Sequence, residues 1–338
     1  MQITQTFLPF FGSIFNFYFL KKLENQLNFI TLYQFKLHSG KILDINLSYQ
    51  IFGPELFSAP VILVNHALTG NSNGSGEKGW WKDLIGKEKI IDTDRFTVLC
   101  FNIPGNGYDG NIIENYQDFT TSDIAKIFLE GLEFLKINNL HALIGGSLGG
   151  AIGWEMLAIE PNLTKNFIPV ACDYQTSDWL YSQCLVQKFL LNQREEPLQK
   201  ARIHAMLCYR TPESLNSRFK NEVLIDKNIR NYEDWLNFHG KSLADRFNLH
   251  SYKLMNQLLM SINTDQNSLH LISANIHLVA VDTDLFFPAC EMKQTYLFLA
   301  EMKHNVFYHT INSIHGHDAF LIEYEQLTEI LKNVFNEK

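Results

Sequence analysis

Asn139–Glu155 reads NLHALIGGSLGGAIGWE, and three kinds of segment follow one another within it. Ala142, Leu143 and Ile144 end an apolar run of the kind that forms a buried strand. Gly145-Gly146-Ser147-Leu148-Gly149 then fits G-x-S-x-G, and Gly150, Ala151 and Gly153 open a helix of small residues. Strand, tight turn and helix in that order form the context in which the pattern marks a nucleophile elbow. The turn calls for glycines because the serine sits in strained backbone while strand and helix pass too close for a Cβ. The strain lifts the hydroxyl clear of the sheet, to the positive end of the following helix, where developing negative charge is stabilised. A bare G-x-S-x-G arises by chance in many chains; the flanking segments single out Ser147 as a candidate nucleophile.

The chain around the elbow alternates strands and helices. Residues 29–38 and 41–52 flank Ser39-Gly40 and predict an antiparallel hairpin, ended by Gly53-Pro54. Val61–Asn65 and Phe96–Ile103 are continuous apolar runs, hence strands buried on both faces. Ser122–Ile137 carries helical apolar spacing behind an N-cap residue, a helix after the elbow runs to about Glu160, and Phe167–Cys172 is a further strand. From Asp178 to Asn263 no buried strand run appears, only helix-like segments rich in Leu, Gln, Arg and Asn. The rhythm returns with Asn275–Val281, a helix near Glu291–Lys303, the strand Val306–Ile311 and a last helix over Ala319–Phe335. The expectation is an α/β core over 29–177 and 264–338, with a mostly parallel sheet, interrupted by a helical insertion at 178–263.

A serine hydroxyl is a weak nucleophile until a base takes its proton and a third group holds that base. On this kind of sheet the acid and then the base follow late strands. Asp282-Thr283-Asp284 follows the strand NIHLVAV, and His315-Gly316-His317-Asp318 follows VFYHTI. Asp284 lies further into its loop and is the better placed acid, with Asp282 as a loop-capping residue. His317 immediately precedes the last helix and is the better placed base, ahead of His315. A metal reading of His-x-His-Asp lacks further ligands elsewhere. The oxyanion needs two backbone N–H donors, one from Leu148 after the nucleophile and one from the loop Asn65–Gly70 after the third strand. His66 anchors that loop as a structural residue.

Composition bounds the partners. Of 338 residues, 46% are hydrophobic and 19% charged, an ordinary globular balance, and the formal charge of −8 argues against nucleic acid or an anionic membrane as the main partner. Cys100, Cys172, Cys184, Cys208 and Cys290 are scattered without C-x-x-C spacing, which reads as reduced, buried thiols in a cytoplasmic protein with no zinc site. Phe7–Leu20 is strongly apolar but too short to span a bilayer, and its lysines follow the apolar run, unlike a signal peptide. Residues 1–28 read as an extension ahead of the core, with an interfacial anchor as the alternative.

Several separated blocks resemble the homoserine O-acyltransferases of the α/β-hydrolase fold. Asn65–Asn71 is similar to that family's H-A-L-T-G loop, and Gly79–Phe96 (GWWKDLIGKEKIIDTDRF) to its G-W-W and I-D-T-D-R block. Ser147–Gly150 matches S-L-G-G, Ala201–Arg210 (ARIHAMLCYR) resembles A-R-x6-Y-R, and Asp245–Tyr252 resembles R-F-D-x-x-S-Y. Asp282–Pro288 and Gly316–Leu321 resemble the acid and base motifs, with Asp284 and His317 aligned to them. The resemblance implies a two-step transfer in methionine biosynthesis. Acetyl-CoA, a co-substrate and not a bound cofactor, acylates Ser147, and the acetyl group passes to the hydroxyl of homoserine. It further implies that the Leu68 and Leu148 N–H groups hold the oxyanion, that Arg202 faces the acceptor's carboxylate with Tyr209 beside it, that Asp318 meets its ammonium, and that the helical insertion is a lid making a homodimer contact. Serine as acceptor, succinyl-CoA as donor, or hydrolysis by water are the alternatives. The chain departs from the family pattern at Asn102–Gly110 (NIPGNGYDG), which lacks the usual cysteine and S-T-G-P ending, at Gly146, where Pro, Ala or Cys is common, and at Ala151-Ile152, where Met-Gln is usual.

Overall fold

Both faces of the central sheet are covered, and the alternation along each strand shows it. In the strand through 142–144, Leu143 faces one apolar core while Ala142 and Ile144 face another, and all three are buried. The computed structural model describes residues 26–302 and 305–336, so the apolar stretch Phe7–Leu20 lies outside the described residues.

The chain opens with β1 (Asn28–Lys36) and β2 (Ile42–Phe52), an antiparallel hairpin, followed by β3 (Val61–Asn65). A small parallel pair, β4 (Ile85–Gly86) and β5 (Ile91–Asp92), precedes β6 (Thr97–Phe101). Then come α1 (Thr121–Phe134), β7 (Leu140–Gly146), α2 (Leu148–Ile159) and β8 (Thr164–Val170). The insertion holds α3 (Asp178–Leu191), α4 (Pro197–Tyr209), α5 (Pro212–Phe219), the two-residue strands β9 (Val223–Leu224) and β10 (Ile229–Arg230), α6 (Asn231–Arg246) and α7 (Leu249–Met260). The core resumes with β11 (Asn275–Val281), α8 (Ala289–Glu301), β12 (Val306–Ile311) and α9 (Tyr324–Phe335).

The main sheet has eight strands in the order β1-β2-β6-β3-β7-β8-β11-β12. From β6 to β12 every pairing is parallel, while β1 and β2 run antiparallel at one edge. One face packs α1, α2 and α8, with Ile124, Phe128, Trp154 and Met292 in its core; α9 and the Trp81 loop cover the other through Leu327, Leu331 and Phe335. The insertion leaves after β8 and returns before β11, and its neck is closed by an antiparallel bridge between Gln175 and Asn263. Thr176 N–H donates to Ile262 O at 2.9 Å and Thr264 N–H to Tyr174 O at 3.0 Å beside it.

The structure moves three of the expected features. The helix after residue 120 is capped by Thr120, not Ser122, because only Thr120 has an acid three residues on to complete a capping box with Asp123. The last helix does not start at Ala319: Gly316–Leu321 is a turn of 3-10 helix, and α9 begins at Tyr324. The β9–β10 hairpin interrupts the otherwise helical insertion. Cys290 is exposed, while Cys100, Cys172, Cys184 and Cys208 are buried and unpaired.

Candidate active site

β7 ends at Gly146 and α2 begins at Leu148, so Ser147 makes the whole turn. Its φ of 53° and ψ of −126° lie where non-glycine residues are strained. Its N–H donates to Val170 O at 2.8 Å, which pins the turn to β8. A Cβ on Gly149 would sit 2.3 Å from Asn65 O, so the helix enters against the end of β3 at glycine distance only. This is the local geometry that the 145–149 pattern predicts.

Ser147 Oγ donates to His317 Nε2 at 2.9 Å, and the Nδ1–H of the same ring donates to Asp284 Oδ2 at 2.7 Å. An ionised carboxylate only accepts, which fixes the imidazole proton on Nδ1 and leaves Nε2 as the acceptor. The other oxygen of Asp284 accepts the N–H groups of Phe286 and Phe287 at 2.7 and 2.9 Å. The rings of Tyr209, Phe286, Phe287 and Phe320 surround the imidazole with centroids 5.1–5.7 Å away. Ser147 is 3% exposed and both partners are buried, so the chain of bonds lies in a water-poor setting that strengthens it.

The competing residues serve the loops. Asp282 accepts the N–H of Ser313 at 3.0 Å. His315 Nδ1 receives Arg210 Nη2 and Ser214 Oγ, each at 3.0 Å. Thr283 donates its hydroxyl to Ser313 O and accepts the N–H of Gly316 at 3.2 Å, stapling the acid loop to the base loop. Nothing in the pattern Asp-Thr-Asp marks that threonine in advance.

The loop after β3 is held from inside. His66 donates Nδ1–H to Ala67 O at 2.8 Å, and its Nε2 accepts the N–H of Ile103 at 3.0 Å. Complete burial pushes this histidine down to about 4, so it is a neutral strut between two loops. Asn102 extends the strut: its Oδ1 accepts the Ser72 N–H at 2.6 Å and its Nδ2 donates to Ser48 Oγ at 2.9 Å. Leu68, on this loop, is buried, and Leu148 heads α2, where a first-turn N–H has no partner within the helix. The unusual 102–110 loop is packed firmly, with Asp109 accepting from Ser48 Oγ at 2.6 Å.

The insertion contributes a second group of polar residues. The Arg202 guanidinium lies over the Tyr209 ring at 5.7 Å, and the Tyr209 ring lies 5.4 Å from that of His317. Asp318, next to His317, pairs with Arg210 at 3.7 Å. Burial pushes the Asp318 carboxyl up, while Arg202, His317 and Arg210 oppose that shift. Tyr209 is pushed well above the ordinary phenol range by burial, and Tyr252, itself buried, is hydrogen-bonded to it. Arg210 and Tyr252 are the residues that reading for roles passes over, although both stand inside the quoted blocks 201–210 and 245–252. Among the described residues, no three His, Cys, Asp or Glu side chains gather as a metal site.

A family model described as alpha/beta hydrolase fold matches residues 60–294. The chain is 32% identical to a homoserine O-acetyltransferase of Cyclobacterium marinum, over 82% of this chain and 85% of that one. It is 29% identical to a homoserine O-acetyltransferase of Methanococcus vannielii, over 89% of this chain and 71% of the other. The crystal structure of a homoserine O-acetyltransferase from Staphylococcus aureus superposes with a TM-score of 0.80 at 23% identity, covering 93% of this chain and 96% of that one, a likeness of fold. An extended match to a fold model and a relative of this identity and coverage together place the chain: it belongs to the homoserine O-acetyltransferase family of the alpha/beta hydrolase fold.

Proposed function

We propose that the protein transfers an acetyl group from acetyl-CoA, through an acyl-Ser147 intermediate, to the side-chain hydroxyl of L-homoserine, in the methionine biosynthesis of the cytoplasm. The observation that carries this reading is the bonded series Ser147–His317–Asp284 with Arg202 and Asp318 beside it. The first three make an acyl-enzyme; the last two suit a zwitterion. An arginine fork takes a carboxylate bidentately, and an aspartate takes an ammonium.

In the first half-reaction His317 Nε2 accepts the Ser147 proton as Oγ attacks the thioester carbonyl. The oxyanion is held by the N–H groups of Leu68 and Leu148. The imidazolium, balanced by Asp284, then returns its proton to the departing sulfur, and the free thiol leaves. In the second half His317 takes the proton of the acceptor's hydroxyl, whose oxygen attacks the acyl carbonyl. Ser147 leaves with the proton from His317, and the ester product is released. Tyr209, packed on both the Arg202 guanidinium and the imidazole, ties the acceptor groups to the base.

The exposed apolar side chains of Trp179, Val186 and Phe189 on α3 support pairing of two copies through the lid, which light scattering of the purified protein tests. No described helix is long and apolar enough to cross a membrane. The deciding experiment measures thiol release from acetyl-CoA with and without homoserine, in wild type and Ser147→Ala. Homoserine-dependent release that disappears in Ser147→Ala supports the transferase. Equal release with and without homoserine would make the protein a hydrolase, and greater activity with serine or succinyl-CoA would reassign the acceptor or donor.

A further inference from the structure

The corner where α4 meets α5 is stitched to the loop that carries His317 by contacts that the scheme above leaves unused. Thr211 donates its hydroxyl to Ile314 O, and Gly316, at φ +64°, lies so close that a Cβ would come within 2.8 Å of Tyr209 O. At the centre of the corner stands Arg210, whose side chain is 10% exposed. Its Nε and Nη2 donate to Ser214 Oγ at 3.2 and 2.7 Å, and Nη2 reaches His315 Nδ1 at 3.0 Å. Ser214 is in turn fixed by the first turn of α5, where its N–H donates to Thr211 Oγ1 at 3.0 Å. With those donors occupied, Nη1 is left facing Asp318 Oδ2 at 3.7 Å.

That distance decides what the pair does. It is close enough for strong attraction between partly buried charges, yet beyond hydrogen-bond length. The carboxylate therefore keeps its lone pairs for another donor. The second arginine differs: among the described residues, Arg202 makes no ion pair, and its guanidinium lies over the Tyr209 ring at 5.7 Å. One arginine is built into the protein and the other is available to a ligand.

We propose that Arg210 is a positioning residue for the acceptor: clamped by Ser214 and His315, it holds the Asp318 carboxylate in place without occupying it, so that an incoming ammonium finds it aligned beside His317. The proposal rests on the acyl-transfer reading, and it places acceptor affinity on the junction between lid and core. The groups that face Asp318 are Arg202, His317, Arg210 and Asp284.

The test is a kinetic comparison of wild type, Arg210→Met and Arg210→Lys, with acetyl-CoA saturating and homoserine varied from pH 6 to 9. In Arg210→Met the homoserine KM rises about thirtyfold while kcat falls less than about threefold, the pattern of a lost binding contribution. The acid limb of kcat/KM for homoserine moves to higher pH, since a cation that favours the charged carboxylate has gone. Arg210→Lys restores a charge without the fork and recovers part of the KM. Circular dichroism melts identify any variant that is unfolded, and in that case Ser214→Ala, which loosens the clamp, takes its place with a smaller KM rise expected. An unchanged homoserine KM in a folded variant, or a parallel fall of kcat and rise of KM with no movement of the acid limb, overturns the proposal and leaves the acyl-transfer reading standing. If wild type shows no homoserine dependence at all, the two fall together.

Discussion

Gly146 and Phe320 make one structural unit although 174 positions of chain numbering separate them from view in the sequence. A Cβ on Gly146 would lie 2.6 Å from Phe320 Cε2, and the ring is buried between Trp81 and His317. The phenyl ring of Phe320 takes up the space that a side chain at position 146 would need. Gly146→Ala is expected to cost about 1–3 kcal/mol through overpacking and to slow turnover by disturbing the base. Phe320→Leu in the same chain should recover most of both, so that thermal melts and kcat across the four forms show coupling. Additive losses would mean that the contact is not shared. At this scale the hydrogen-bonded grouping of Ser147, His317 and Asp284 is legible beforehand, because each follows a strand end. Arg210 is not legible, because its partners Ser214, His315 and Asp318 meet only across the join of lid and core.

Among the elements, α1 shows how a single carboxylate sets a boundary. Asp123 Oδ2 accepts the N–H and hydroxyl of Thr120 at 2.9 and 2.8 Å, and its Oδ1 accepts the His38 N–H at 2.6 Å, tying the helix start to the end of the β1–β2 hairpin. Thr120→Ala loses the cap alone, about 1 kcal/mol. Asp123→Ala also leaves the N–H groups of Thr120 and His38 without their partner in a part-buried place, and about 1–3 kcal/mol is expected. Urea unfolding of both variants checks the ranking, and equal costs would contradict it. The run Thr120-Thr121-Ser122 offers three hydroxyl caps, and choosing among them by residue type alone misses the carboxylate three positions on. β3 and β11 are legible to the residue because their runs are apolar and buried, whereas β8, expected over 167–172, begins at Thr164, its first three residues, Thr164-Lys165-Asn166, carrying no apolar signal. The start of α9 is not, since apolar spacing from Ala319 onward cannot register that Gly316–Leu321 tightens into a 3-10 turn to aim His317 at Ser147.

Across the whole molecule, stability at acid pH is set by buried groups with opposite signs. Burial pushes Asp173 up to about 6 from an ordinary 3.8, so between those values the folded chain holds the proton more tightly than the unfolded one. Its contribution is fully present below pH 3.8 and is lost as pH rises through about 6. His66, pushed down to about 4 from 6.5, works the other way: its contribution is present above pH 6.5 and is lost as pH falls through about 4. Thr295 Oγ1 and Tyr174 N–H both donate to Asp173 Oδ1, at 2.7 and 2.8 Å, and asparagine can keep both bonds. Asp173→Asn should therefore match wild type near pH 4, exceed it by up to about 3 kcal/mol at pH 8, and show a steeper loss on acidification. Melting curves at both pH values decide it, since a gain of equal size at each would exclude the charge as its cause.

The placement of the insertion bears on the protein while it is being synthesised. β8 and β11 are sheet neighbours, yet Asn166 and Asn275, which are hydrogen-bonded across them, are 109 residues apart in the chain. Ser147 emerges from the ribosome before the insertion, whereas Asp284 and His317 emerge only after it. For the interval between, the nascent chain has Ser147 without the Asp284 and His317 that meet it in the complete fold, and β8 without the β11 that pairs with it. Incomplete chains thus lack the Ser147–His317–Asp284 series, and they carry the greatest exposure to faulty strand pairing at the moment the lid is being threaded out.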